Sequence, residues 1–297
     1  MRILIMALVI FLGSYQMLHS ANIFRHGYGG GAFSFTLGAD EYFRRDVIII
    51  DGEIKPGDYE KFIEVVSNIE GTGDLLQPAA DKEVLGGLRS KYDGLRELHI
   101  SVGLKSNGGD VLEAVKIGKA IRRLRLATSV YSNCDSACFF ILAAGVKRNF
   151  DGLFGSGIQV HRPYFDYREV KDMTSLEVED MHSEMIKFTK DYLREMSVSE
   201  ELIELIYRIA PDGARPLTKA EYDKWVGDYQ PFFEDWLDAK CRHIEGLTPS
   251  EKKDFRSLAT SKFSEGYEDY LMKKVVAARK CRHETMRVEQ LRLLAKE

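Results

Sequence analysis

Ser136 and His161 are the two side chains with which this chain could carry out acyl transfer. Ser136 opens a stretch of small and apolar residues, 137–145, that predicts a helix. His161 ends a short strand-like run, Ile158-Gln159-Val160-His161. A serine hydroxyl is a poor nucleophile until a neighbouring base takes its proton, and an imidazole is the natural base. The negative charge that then develops needs hydrogen-bond donors aimed at it. The N–H of Ala137 offers one, at a helix N-terminus whose dipole also favours negative charge. The turn at Gly108-Gly109 offers another, because a residue without Cβ lets the backbone approach a substrate closely. Each feature also has a purely structural reading: Asp135-Ser136 as a helix N-cap, His161 as an ordinary strand-end histidine, Gly108-Gly109 as a tight turn. Their joint occurrence favours the chemical reading.

The surrounding pattern supplies elements to hold these groups. Val47-Ile48-Ile49-Ile50 is a continuous β-branched run, expected of a strand buried on both faces. Tyr59, Phe62, Ile63, Val66 and Ile69 repeat with a helical period. Residues 98–104 form a strand that ends at Ser106-Asn107-Gly108-Gly109. Val111, Ala114, Val115, Gly118 and Ile121 share one helix face, and 126–131 is the next strand. Strand, helix, strand, helix, strand predicts an α/β fold with a mostly parallel sheet. A long amphipathic helix follows over 176–196, with Met181, Met185, Phe188, Tyr192 and Met196 near one side. A second helix, 198–209, starts after Ser197 or Ser199 and is broken by Pro211-Asp212-Gly213. A short capped helix lies near 217–225. Residues 71–94 read as an insertion or a short helix within a loop, and the Arg122-Arg123-Leu124-Arg125 cluster as a solvated helix face.

The combination Ser-Asn-Gly-Gly-Asp-Val at 106–111, Ser-Ala-Cys at 136–138 with Ala-Ala-Gly at 143–145, and Val-His-Arg-Pro at 160–163 resembles the ClpP/crotonase superfamily. Within it, the chain looks most like periplasmic ClpP-class serine proteases, over residues 47–225. The resemblance implies a repeated β-β-α spiral core with a helical handle at 176–196. It implies Ser136 as nucleophile, His161 as general base and an oxyanion hole at Gly109 and Ala137. It also implies an acid after the handle. Here the sequence departs from the family: the matching position is Ala214, and the nearest acid is Asp212, with Asp135 a further candidate for orienting a group in the site. The implied activity is peptide hydrolysis through an acyl-enzyme on Ser136, without metal or cofactor. Substrates would be peptides or unfolded protein segments, and a homo-oligomer would form through the handle. The alternatives are an inactive ClpP-fold binding or scaffold protein and, third, a crotonase-type acyl-CoA enzyme.

Bulk properties agree with a folded globular protein. The 297 residues are 44% hydrophobic and 30% charged, with net charge −4 and interspersed signs, so nothing suggests a nucleic-acid surface. Met1-Arg2 precedes the apolar run 3–12 and a Gly13-Ser14 break. This predicts a signal peptide over 1–20, with cleavage near Ser20-Ala21, and export to a bacterial periplasm. An uncleaved anchor, which would be the one membrane contact, is the alternative. Residues 21–46, with their glycine cluster at 27–31, read as a flexible surface arm, 47–230 as the ClpP-like domain and 231–297 as a helical extension. Export favours disulfides among the four cysteines, with Cys241-Cys281 and Cys134-Cys138 the preferred pairing. The repeated Cys241-Arg242-His243 and Cys281-Arg282-His283 leaves zinc open as an alternative, against which stands the spacing, since residues two apart on a helix do not share a face.

Overall fold

The computed structural model describes residues 21–26, 47–67, 100–150, 157–241, 247–248, 250–251, 254 and 264–295. The leader predicted over 1–20, the glycine cluster at 27–31 and the stretch 71–94 lie outside these residues. The fold is α/β, built on a seven-stranded sheet. Strands β2 (Val47–Asp51), β3 (Ser101–Ser106), β4 (Ala127–Asp135) and β6 (Gly157–Val160) are parallel neighbours in that order. The short β5 (Arg148–Asn149) also pairs β4 in parallel. Two antiparallel strands close the edges: β1 (Asn22–His26) on β2 and β7 (Arg215–Pro216) on β6. β1 corrects the expectation of a surface arm. Residues Asn22 to His26 pair with the whole of β2, so the edge of that buried strand is covered rather than open.

Helices α1 (Asp58–Ser67), α2 (Val111–Arg123) and α3 (Cys138–Ala144) connect the parallel strands. Their apolar faces join Ile48, Ile50, Val102, Leu104 and Ile158 of the sheet in one core. Each start has a local cause. Asp110 caps α2 by accepting from the Glu113 N–H at 2.8 Å. The Glu113 carboxylate accepts from the N–H groups of Gly57 (3.2 Å) and Tyr59 (3.0 Å), so the acid that begins α2 also holds the start of α1. Burial pushes the Glu113 carboxyl up, but its bonds to Lys116, Tyr59 and Gly57 more than offset this and hold it below the usual carboxylate range.

A short α4 (Tyr167–Val170) precedes α5 (Ser175–Glu195), which begins with the capping box Thr174–Glu177. Its methionine and aromatic stripe divides in two. Tyr192 and Met196 are buried in the core, and Tyr192 Oη donates to the Phe140 carbonyl at 2.8 Å. Met181 and Met185 are half-buried and Phe188 is exposed. The helix therefore roots its C-terminal half and projects the other. α6 (Glu200–Arg208) follows with Ser199 as its cap, and α7 (Lys219–Trp225) with the capping box Thr218–Glu221. Arg122 corrects the reading of its cluster as a solvated face: it donates to the carbonyls of Ala144 (2.9 Å) and Ala143 (3.4 Å) at the end of α3, and burial lowers its pKa to about 10.

The C-terminal helices α8 (Pro231–Lys240) and α9 (Glu265–Leu294) are joined by the Cys241–Cys281 disulfide. They are no mere appendage. The Gln290 amide accepts from the Ile100 N–H at 2.7 Å and donates to the carbonyls of Ile100 (3.1 Å) and Arg125 (2.8 Å). Met286, Phe233 and Leu237 pack with Ala127 and Val146 in a second apolar cluster. Arg148 is buried where several elements end, and its guanidinium donates to the carbonyls of Ala143, Met196, Val226, Gly227 and Tyr229. Arg148→Met would leave these acceptors without that donor. We expect it to lower the unfolding free energy by at least about 3 kcal/mol in chemical denaturation. Arg148→Lys should recover little, since an ammonium has three donors where the guanidinium has five.

Candidate functional site

The site lies at the C-terminal ends of β3, β4 and β6. The turn after β3 is set by Ser106, whose Oγ accepts from the Gly108 N–H at 3.1 Å. Gly108 and Gly109 then take φ values of +98° and +132°, a region that L side chains rarely adopt. Ile54, beyond the end of β2, forms a parallel bridge with Gly109. Its N–H donates to the Gly108 carbonyl at 2.8 Å and its carbonyl accepts from the Asp110 N–H at 2.8 Å. In such a bridge the N–H of Gly109 itself points away from Ile54.

Ser136 sits on the turn between β4 and α3. Its φ of 53° is left-handed, which is uncommon for a residue with a side chain and reads as strain held by its surroundings. Three restraints hold it. Its N–H donates to the Gln159 carbonyl of β6 at 2.8 Å, and its carbonyl accepts from the Phe139 N–H at 3.0 Å. The Cys134–Cys138 disulfide ties the end of β4 to the first residue of α3 across the turn, and both sulfur-bearing residues are fully buried. This turn corrects the reading of Ser136 as an N-cap. The N-cap position belongs to Ala137, with no side-chain cap bond, and Ser136 Oγ bonds to no described residue.

The glycine turn and the serine turn touch. A Cβ placed on Gly108 would lie 2.7 Å from Ser136 Cβ, 2.8 Å from the Asp135 carbonyl oxygen and 3.0 Å from the Ala137 nitrogen. The N–H groups of Gly109 and Ala137 donate to no described residue. Two unused backbone donors thus flank a strained serine. α3 has only seven residues, so a helix dipole adds little here, and the donors themselves carry the polarity.

His161 follows β6 and is half-buried. Asp135 pairs Gln159 across the ladder, so His161, two residues on, continues the row beside the serine turn. Its Nδ1 lies 2.9 Å from the Arg162 carbonyl and its ring lies 5.8 Å from that of Tyr164. A carbonyl only accepts, so this bond places the proton on Nδ1 and leaves Nε2 as the basic nitrogen. No hydrogen bond joins Ser136 Oγ to His161. Such bonds are often loose in unliganded sites and tighten when substrate binds.

Asp212 is not brought in. It is exposed, and no hydrogen bond joins it to His161 among the described residues. In the antiparallel β6–β7 ladder Gln159 pairs Pro216 and Val160 pairs Arg215. The ladder ends there: beyond it the Arg162 N–H donates to the Ile209 carbonyl at 3.1 Å, and Ala214 is exposed. Asp135 stands in a separate polar chain: Asn133 Nδ2 donates to the Asn107 Oδ1 and, at 3.1 Å, to the Asp135 Oδ2, while Asp135 Oδ1 is buried without a partner. Sequence reasoning missed Asn107 and Asn133, although their place beside the glycine turn and the serine was a signal. The four cysteines form the two expected disulfides, which removes the thiolates that zinc would need. Among the described residues no helix is long and apolar enough to cross a membrane.

No family model matches the chain, and no curated protein matches it closely enough to report.

Gly108→Ala tests whether the two turns depend on one another. The new methyl group overlaps Ser136 and the backbone of Asp135, both of which are fixed by the sheet and the disulfide. We expect a loss of about 2 kcal/mol or more in denaturant unfolding, well above the few tenths of a kcal/mol typical of an exposed glycine position.

Proposed function

We propose that this chain is an exported ClpP-like serine hydrolase that cleaves peptide bonds, working with a serine–histidine pair rather than a full triad. The observation that carries the reading is the strained Ser136 with the unused N–H groups of Gly109 and Ala137 beside it. Ser136 Oγ attacks the carbonyl carbon of the substrate while its proton passes to Nε2 of His161. The oxyanion is received by the N–H groups of Gly109 and Ala137. Collapse of the tetrahedral species breaks the C–N bond, and the leaving amine takes the proton from His161. Water then attacks the acyl-enzyme, giving its proton to His161, and frees the acid and Ser136. The Arg162 carbonyl does the orienting that a carboxylate does in a triad. It fixes the tautomer but, being neutral, stabilises the imidazolium less, so a slow enzyme is expected.

The parallel strands, the crossover helices and the projecting half of α5 support a ClpP/crotonase-type spiral with a handle. On this reading the exposed end of α5 mediates self-association, and the substrates are peptides or unfolded segments that diffuse in. The two disulfides support an oxidising compartment such as the periplasm. One observation favours a second reading: Asp212 is exposed and makes no bond to His161 among the described residues, which suits a protein that has kept the fold and the anion-binding turn for recognition alone. A crotonase-type acyl-CoA enzyme is a weaker third reading, because an exported protein is separated from CoA.

The test is labelling of the purified, oxidised protein by a fluorophosphonate. A hydrolase is expected to label at Ser136, to lose labelling in Ser136→Ala, and to label more slowly by about 10²-fold or more in His161→Ala. Ala214→Asp, which puts a carboxylate at the position where the ClpP resemblance implies the acid, should speed labelling. A folded wild type that does not label, with Ala214→Asp equally silent, would sink the hydrolase and leave the binding protein.

A further inference from the structure

The backbone nitrogen of Ala21 ends in the protein interior on a buried carboxylate. Ala21 is buried, and its nitrogen lies 3.3 Å from Asp58 Oδ2. Asp58 is wholly buried. Its Oδ1 is met by Lys61 Nζ at 3.0 Å, from a lysine half in solvent. Its Oδ2 accepts only backbone N–H groups among the described residues: Lys55 at 2.8 Å and Ala21. Gly52, whose φ is +113°, lies beside it: a Cβ there would be in ordinary contact with Ala21 Cα at 3.6 Å. β1 begins at the next residue. The residue at which the sequence predicts the end of a leader is therefore the one whose nitrogen is docked.

We propose that the chain is cut between Ser20 and Ala21 and that the α-ammonium so formed is the resident partner of Asp58. A leader-processing endopeptidase of the export machinery would supply the cut. Water adds across the peptide bond, its oxygen going to the carboxylate of Ser20, and the nitrogen of Ala21 leaves as –NH3+. A neutral amide with one hydrogen becomes a cation with three. A charge-assisted bond to a carboxylate is shorter and about twice as strong as the amide bond it replaces. A buried carboxylate gains most from a partner that is itself fixed in the interior. The new end anchors β1 on β2. Asp58 also holds Lys55, and Ile54 beside it bridges Gly109, so the docked terminus braces the segment on which the glycine turn rests. The inference does not depend on whether Ser136 is catalytic, and its test reads no activity.

The full chain is expressed in an export-competent Gram-negative host, and the intact mass of the soluble periplasmic protein is measured. The expected mass is that of residues 21–297 with two disulfides; a mass that retains an earlier residue or lacks Ala21 overturns the proposal. Two purified forms are then melted with disulfides intact, one beginning at Ala21 and one with Gly-Ser ahead of it. The free Ala21 terminus should melt roughly 5 °C higher, and Asp58→Asn should erase the difference. Equal melting of the two wild-type forms, or a difference that survives in Asp58→Asn, overturns it. If Asp58→Asn does not fold, N-acetylation of Ala21 replaces it: the acetylated protein must melt with the extended form, and one that melts with the free form counts against the proposal.

Discussion

The guanidinium of Arg148 sits where three helices end. Ala143 lies in the last turn of α3, Met196 caps α5, and Val226 caps α7 with Gly227 just beyond; all four offer their carbonyls to one side chain. The end of a helix leaves carbonyls without partners and carries partial negative charge. Here that charge is gathered around a buried cation. Desolvation lowers the pKa of Arg148, yet an arginine remains protonated through the physiological range. Gln230 adds a donor to the same junction, reaching the Met196 carbonyl at 2.7 Å. The angles at which α3, α5 and α7 leave the sheet are thus tied to one planar group, and α3 is the helix that begins beside Ser136.

From that junction the site is built outward by short-range constraints that act on one another. The disulfide fixes both sides of the serine turn, and β6 takes the serine N–H. The glycine turn fills the space that the serine turn leaves, with no room for a methyl group. Ile54 holds the glycine turn from the far side, and Glu113 ties α1 to α2 on either flank of it. Strain at Ser136 persists because several independent bonds oppose its relaxation. The same bonds hold the unused N–H groups of Gly109 and Ala137 in place beside it.

Much of this could be read from the residues. The β-branched run at Val47, the helical period of α2 and the capping signal before α7 are local properties, and the local environment decides them. An even cysteine count and the expected export favoured disulfides, and the preferred one of the three possible pairings is the one found. Three features were not legible, each because it depends on a distant partner. Asn22 to His26 precedes a glycine cluster and looks like loose chain until β2 is there to pair it. Arg148 is a single cation after an apolar helix, and its five carbonyls come from positions up to 81 residues away. The left-handed turn at Ser136 is set by a carbonyl of β6 and by a disulfide, neither of which alters the local pattern. Asp212 was visible as an acid near the turn after α6, and only the structure shows it exposed, with no bond to His161 among the described residues.

The Gln290 amide closes a contact between residues 190 positions apart, completing the backbone bonding of Ile100 at the foot of β3. A chain made from its N-terminus presents Ile100 long before α9 exists. Until α9 has been made, Ile100 lacks the Gln290 amide and the cluster around Ala127 lacks Met286. Gln290 thus does for Ile100 what a neighbouring strand does inside a ladder, taking its N–H and giving to its carbonyl just where β3 begins, so a helix side chain stands in for backbone at the foot of the sheet.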